Sequence, residues 1–134
     1  MDFVGTRGFR LTLFWLLLAA PATASLLDDK ADDYIKRLTH PSEDVRNQTT
    51  YDIGHTFWNE PRGARLIHAL IKALDDPSER VRAGAAYALV SLAPNKESVT
   101  ALPALEKASH DRFPSVRREA AKALVKIRRR QDKP

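Results

Sequence analysis

Residues 34 to 127 repeat one helix-pair unit three times, and a chain that repeats itself at this spacing has few folds open to it. Displacing the sequence by 36 positions carries Ile35, Lys36, Leu38, Pro41, Ser42, Glu43, Val45, Arg46 and Tyr51 onto Ile71, Lys72, Leu74, Pro77, Ser78, Glu79, Val81, Arg82 and Tyr87. Displacing it by 35 carries Ala69, Leu70, Lys72, Ala73, Asp76, Val81, Arg82, Ala85, Ala86, Ala88, Leu89 and Val90 onto Ala104, Leu105, Lys107, Ala108, Asp111, Val116, Arg117, Ala120, Ala121, Ala123, Leu124 and Val125. Neither match needs a gap. A unit of this length cannot bury its apolar face alone, so neighbouring units stack and share a continuous core. Such solenoids present extended surface to partners more readily than a catalytic pocket.

Each unit reads as helix A, a tight turn and helix B. In unit two Leu66, Ile67, Leu70, Ile71 and Leu74 follow helical spacing and give helix A a broad apolar face. Pro77 ends that helix, because the residue before a proline is pushed away from helical geometry. Ser78 is a suitable N-cap, and Glu79 faces the positive end of the next helix dipole. Helix B then buries Val81, Ala85, Ala88, Leu89 and Leu92, with alanines that let neighbouring helices approach closely. Ser42 and Glu43 repeat the start signal in unit one. In unit three Pro114 occupies the first helical turn, where its missing N–H costs nothing. The expected fold class is all-α: an α-α superhelix, or solenoid, of three helix pairs at about 27–57, 61–93 and 98–130.

The run Asp-Pro-Ser-Glu-x-Val-Arg-x-x-Ala-Ala-x-Ala-Leu at 76–89, with Val116-Arg117 and Ala120-Ala121-x-Ala123-Leu124 in unit three, resembles the HEAT-like repeats. The likeness is closest to the short class found in phycobilisome lyases and related bacterial proteins. Unit one departs from it, with Thr49 and Thr50 where the other units have paired alanines. The resemblance implies an α-α superhelix and leaves scaffolding, lyase and regulatory roles open, because one fold carries all three. The signatures of tetratricopeptide and ankyrin arrays are absent.

The first 24 residues read differently. Arg7 and Arg10 precede an apolar run, Leu11 to Ala20, and Ala22-x-Ala24 supplies small residues at −3 and −1. That order is a secretory signal peptide, expected to be cleaved after Ala24, which leaves residues 25–134 as the repeat domain; the alternatives are its retention as an N-terminal anchor and a buried first helix. The apolar run is shorter than the roughly 20 residues a membrane-spanning helix needs. An exported, periplasmic or extracellular address follows as an expectation. With no cysteine, disulfides contribute nothing and stability rests on stacked helices. The formal charge of +5 is unevenly spread, acidic near Asp28, Asp29, Asp32 and Asp33 and basic from Arg112 to Lys133.

Candidate chemistry is sparse. His40, His55, His68 and His110 show no i,i+4 pair and no His-Glu-x-x-His run, so no metal site is expected. The HEAT-like deoxyhypusine hydroxylases hold iron with His-Glu dipeptides, and no histidine here precedes a glutamate. The acidic cluster at 28–33 lacks the glycine turn of a calcium loop and reads as a solvated helix start. No phosphate loop, nucleophile elbow or cysteine nucleophile occurs, so no enzyme activity, catalytic residue or cofactor is expected. Asn47-Gln48-Thr49 matches a glycosylation sequon but falls within a predicted helix. Arg46, Arg82 and Arg117, one per unit in one register, read as turn braces reaching carbonyls or acids of a neighbouring unit.

The candidate partner-binding residues lie on the B helices. At 100° per residue from Val81, the buried set of the second B helix falls near 0–80° and Tyr87 near 240°. Tyr51 and Lys122 hold the same register, and Asn47, Arg118 and Lys126 flank them, forming a stripe expected to be exposed. Aromatic and arginine side chains dominate binding hot spots. The expectation is a small, exported, monomeric adaptor that binds another protein through this stripe. One alternative is an accessory or lyase-like subunit of a protein-modifying enzyme. Another is an anionic-surface binder at a membrane, working through Arg128, Arg129 and Arg130 on the C-terminal helix. Export speaks against nucleic acid as the partner.

Overall fold

The computed structural model describes residues 25–133, so the predicted signal segment lies outside the described residues. The chain divides between Lys30 and Ala31, and the repeat array is the unit that begins at Ala31. Within it α1 covers residues 31–37, followed by α2 (Glu43–Thr56), α3 (Ala64–Ala73), α4 (Glu79–Ser91), α5 (Leu102–Ala108) and α6 (Pro114–Gln131). Short 3₁₀ segments, Pro61–Gly63 and Lys96–Ala101, lead into α3 and α5. No strand occurs among the described residues. The pairs α1–α2, α3–α4 and α5–α6 are the three expected units.

Local chemistry sets the boundaries. Ser78 is extended and its Oγ accepts from Val81 N–H (3.4 Å), starting α4 as read from the sequence. The same hydroxyl donates to Glu43 (2.7 Å), tying the start of α4 to the start of α2. Ser42 holds the N-cap position of α2 without a side-chain capping bond. Pro114 stands in the first turn of α6.

Helix α4 is the centre of the array, flanked by α2 on one side and α6 on the other and backed by α3. Its Val81, Ala85, Ala88 and Leu89, with Leu92 just beyond its end, are fully buried, as are Leu66, Ile67 and Leu70 of α3 and Val116, Ala120, Ala123 and Ile127 of α6. The B helices pack closely because small residues meet large ones. Thr50 is fully buried, donates to the Asn47 carbonyl (2.7 Å), and fills the space that the missing side chain of Gly84 leaves open. The departure of unit one from paired alanines is thus matched by a glycine on the facing helix. Tyr87 lies over Gly54 in the same way, since a Cβ there would stand 2.6 Å from the ring.

Candidate partner-binding face

Two successive arginines clamp the units together. Arg46 extends from α2 to the turn before α4, with Nε donating to Asp76 Oδ2 (2.8 Å) and Nη2 to Oδ1 (3.1 Å). Its Nη1 donates to the carbonyls of His40 and Pro41, both at 2.9 Å. Arg82 repeats this one unit later, on Asp111 (2.8 and 3.2 Å) and on the carbonyls of Asp76 (2.8 Å) and Pro77 (3.1 Å). The forked guanidinium matches a carboxylate with two parallel bonds, which is why arginine holds this register. Donation to the Asp76 carboxylate raises the pKa of Arg46 above its ordinary value, against the opposing effect of burial. The bond from Arg82, helped by the Phe113 N–H, holds Asp111 below the usual carboxylate range despite burial. These arginines bind turns, as the one-per-unit register implied.

The stripe of Asn47, Tyr51, Tyr87, Arg118, Lys122 and Lys126 does not stand uniformly exposed. Tyr87 is half-buried, against the expectation of an open tyrosine: its ring covers Gly54 and packs at a tilt against those of Tyr51 (centroids 5.6 Å apart) and His55 (5.9 Å). An angle measured from a helix's own core does not reveal where the next B helix stands, and near 240° Tyr87 meets α2. Asn47 is also half-buried and used between units. With its amide oriented by the hydrogen-bond pattern, it donates to the Arg80 carbonyl (3.1 Å) and accepts from the Arg80 guanidinium (3.2 Å). The same burial closes the sequon, because Thr49 is fully buried.

Three of the six are exposed, and Lys126 is half-buried like Asn47 and Tyr87. Tyr51 is 42% exposed. Arg118 and Lys122 are exposed on α6 and share Glu119, at 3.3 and 3.0 Å. Lys126 is half-buried, with Nζ 4.4 Å from the centroid of the Trp58 ring, a cation–π contact. Trp58, 53% exposed, lies in the connector after α2. Its register partners are Pro94 and Arg129, so the repeat pattern gives no sign of an aromatic here. Through Lys126 it joins a shallow depression lined by Val90, Ala121, Lys122, Val125 and Arg129.

The basic run at the end of α6 is exposed, and two of its arginines make contacts within the fold. Arg128 pairs with Glu106, and Arg130 Nη1 donates to the Ala93 carbonyl (3.4 Å). Asp32 and Asp33 of the acidic cluster pair with Arg65 and Arg37. Among the described residues no three histidine, aspartate or glutamate side chains gather closely enough to hold a metal ion. No helix among them is long and apolar enough to cross a membrane.

No curated protein matches this chain. The sequence profile of the family described as HEAT repeats matches residues 31–124, from α1 into α6. HEAT repeats serve as scaffolds for protein–protein interaction. With that match running from the first helix pair into the third and covering more than half of the residues, the chain belongs to the HEAT-repeat family.

Proposed function

We propose that the mature protein is an exported adaptor, without enzyme activity, that captures another protein through the outer side of its B helices. Cleavage after Ala24 delivers it to the periplasm or the extracellular space. The observation that supports the reading is the placement of Tyr51 and Trp58. These large aromatic side chains are 42% and 53% exposed beside a core that leaves few apolar groups outside. Rings presented this way are suited to anchor a partner, and Lys126, Lys122 and Arg118 add a polar, positively charged rim. Asn47 and Tyr87 support the face from beneath. The anionic-surface alternative draws less support, because Arg128 and Arg130 are engaged within the fold.

The address is tested by the intact mass of protein recovered from the cell envelope, expected to begin at Ser25; a full-length cytosolic species refutes it. The face is tested by immobilising the mature chain and quantifying one reproducibly captured partner. Tyr51→Ala and Trp58→Ala are each expected to reduce affinity about thirtyfold, the loss of a hot-spot aromatic contributing about 2 kcal/mol, with melting unchanged. Unchanged capture by both variants refutes this face. Loss only on replacing Arg128, Arg129 and Arg130 together, with steep salt sensitivity, transfers the function to the basic end.

A further inference from the structure

The clamp that joins the units is left half-made on α6. Arg117 holds the register of Arg46 and Arg82, and its Nη1 donates to the carbonyls of Asp111 (2.9 Å) and Arg112 (3.0 Å), as theirs do one and two units earlier. In Arg46 and Arg82 the remaining edge of the fork, Nε and Nη2, takes an aspartate of the following unit. Arg117 has no carboxylate partner among the described residues, and its side chain is exposed.

The surface beside it carries the same mark. Ala86 of α4, a helix packed on α6, is fully buried, and Val90 is half-buried. Their equivalents 35 positions on, Ala121 and Val125, lie open, Val125 at 50% exposure. This face therefore has side chains in the register of an inter-unit interface and stands exposed among the described residues. What it lacks can be read from the two finished interfaces: a helix pair whose turn carries an aspartate two residues before the second helix's N-cap, as Asp76 stands to Ser78 and Asp111 to Phe113.

A second copy of this chain does not supply that group. Asp76 and Asp111 already hold Arg46 and Arg82. The turn of unit one has His40 in the aspartate register, and its Nδ1 accepts the Ser42 N–H (3.0 Å) as Asp76 and Asp111 accept those of Ser78 and Phe113 (both 2.9 Å). A neutral imidazole used in this way has only an N–H left, so it has no acceptor for an arriving arginine.

We propose that the α6 face formed by Arg117, Ala121 and Val125 docks a helix pair of a different protein, continuing the array in trans, with a turn aspartate of that partner closing on Arg117. This surface adjoins Trp58 through Lys126, but the contact argued for it, Arg117 with a partner's aspartate, involves neither Tyr51 nor Trp58.

The probe is a labelled synthetic helix pair, residues 96–131 of this chain, titrated into the intact mature protein and followed by anisotropy and by gain of helix. Saturable binding is expected, weakened about tenfold or more by Arg117→Ala in the protein or by Asp111→Asn in the peptide, and unaffected by Tyr51→Ala. Binding insensitive to Arg117→Ala means that the peptide has displaced the protein's own third unit, and overturns the proposal. The same helix pair joined after Arg130, which preserves the 35-residue spacing, provides a measurement that does not rely on the free peptide folding. The added pair is expected to resist proteolysis and raise the melting temperature, with Arg117→Ala reversing that rise. No binding in trans together with an unprotected added pair overturns the proposal, as does a homodimer that Arg117→Ala dissolves.

Discussion

Three arginines in one register, two of them clamped and one not, give a graded prediction for stability. Arg82→Ala removes two charge-assisted bonds to Asp111 and two bonds to the carbonyls of Asp76 and Pro77. It also removes the guanidinium from the Phe113 ring, 5.6 Å away. Exposed ion pairs contribute about 0.2–1 kcal/mol, and breaking a buried one costs about 3–5 kcal/mol. The Arg82 and Asp111 side chains are 12% and 13% exposed, close to the buried limit, so a loss of about 3 kcal/mol is expected. Arg46→Ala is expected to match it, since the Arg46–Asp76 side chains are 15% and 10% exposed. Arg117→Ala loses only two exposed bonds to carbonyls and is expected to cost about 1 kcal/mol or less.

For a domain near 100 residues each kcal/mol moves the melting temperature by about 4–8 °C, so the difference is large on a thermal scan. Urea unfolding of the three variants gives the free energies directly, and a cycle with Asp111→Ala isolates the pair from the carbonyl bonds. Equal losses at all three positions would refute the reasoning. They would mean that the carbonyl bonds common to all three arginines, and not the aspartate clamp, hold the turns.

Other variants probe separate links in the same chain of cause. Leu89→Ala empties a fully buried position of the central helix and is expected to cost about 2–5 kcal/mol, a large share of a small domain's stability; a melt matching the parent would show that the core has been misplaced. Gly84→Ala drives a methyl onto the buried Thr50 and is expected to destabilise by about 1–3 kcal/mol despite alanine's better helix propensity, whereas Gly84→Ala with Thr50→Ala recovers most of the loss. Because Asp111 is held below the ordinary carboxylate range, its contribution is present above the unfolded pKa of about 3.9 and lost as pH falls below it. The stability gap between parent and Asp111→Asn, measured from pH 7 to pH 3, is therefore expected to close below about pH 4. Tyr87→Ala is expected to lower stability by about 1–2 kcal/mol through lost packing on Gly54, while Tyr51→Ala leaves the melt nearly unchanged.

Much of this architecture was legible in the chain because a repeat reports on itself. Ser78, Pro77 and Glu79 recur or find equivalents, so the helix boundaries could be read more than once. The core positions of α4 follow from a single wheel, since one helix buries one face against its own unit. Relations between units were harder to read. Arg82 and Asp111 lie 29 positions apart, and no period within a helix or within the repeat joins them. The recurrence of Asp76 at Asp111 was visible, but that the carboxylate receives the arginine of the preceding unit depends on how the turns stack.

The same distinction explains the two tyrosines. Tyr51 and Tyr87 share one register, so any argument within a unit treats them alike, yet Tyr51 is exposed and Tyr87 half-buried. What separates them is the neighbour: Tyr87 has α2 beside it, with Gly54 offering room for a ring, and Tyr51 stands one unit earlier. Equivalent residues in a solenoid thus acquire different work from their place in the stack. Positions in the middle are taken up by packing, as Tyr87, Ala86 and Arg82 are. Their counterparts Tyr51, Ala121 and Arg117 keep the same chemistry on open surface, and the proposed partner contacts fall there.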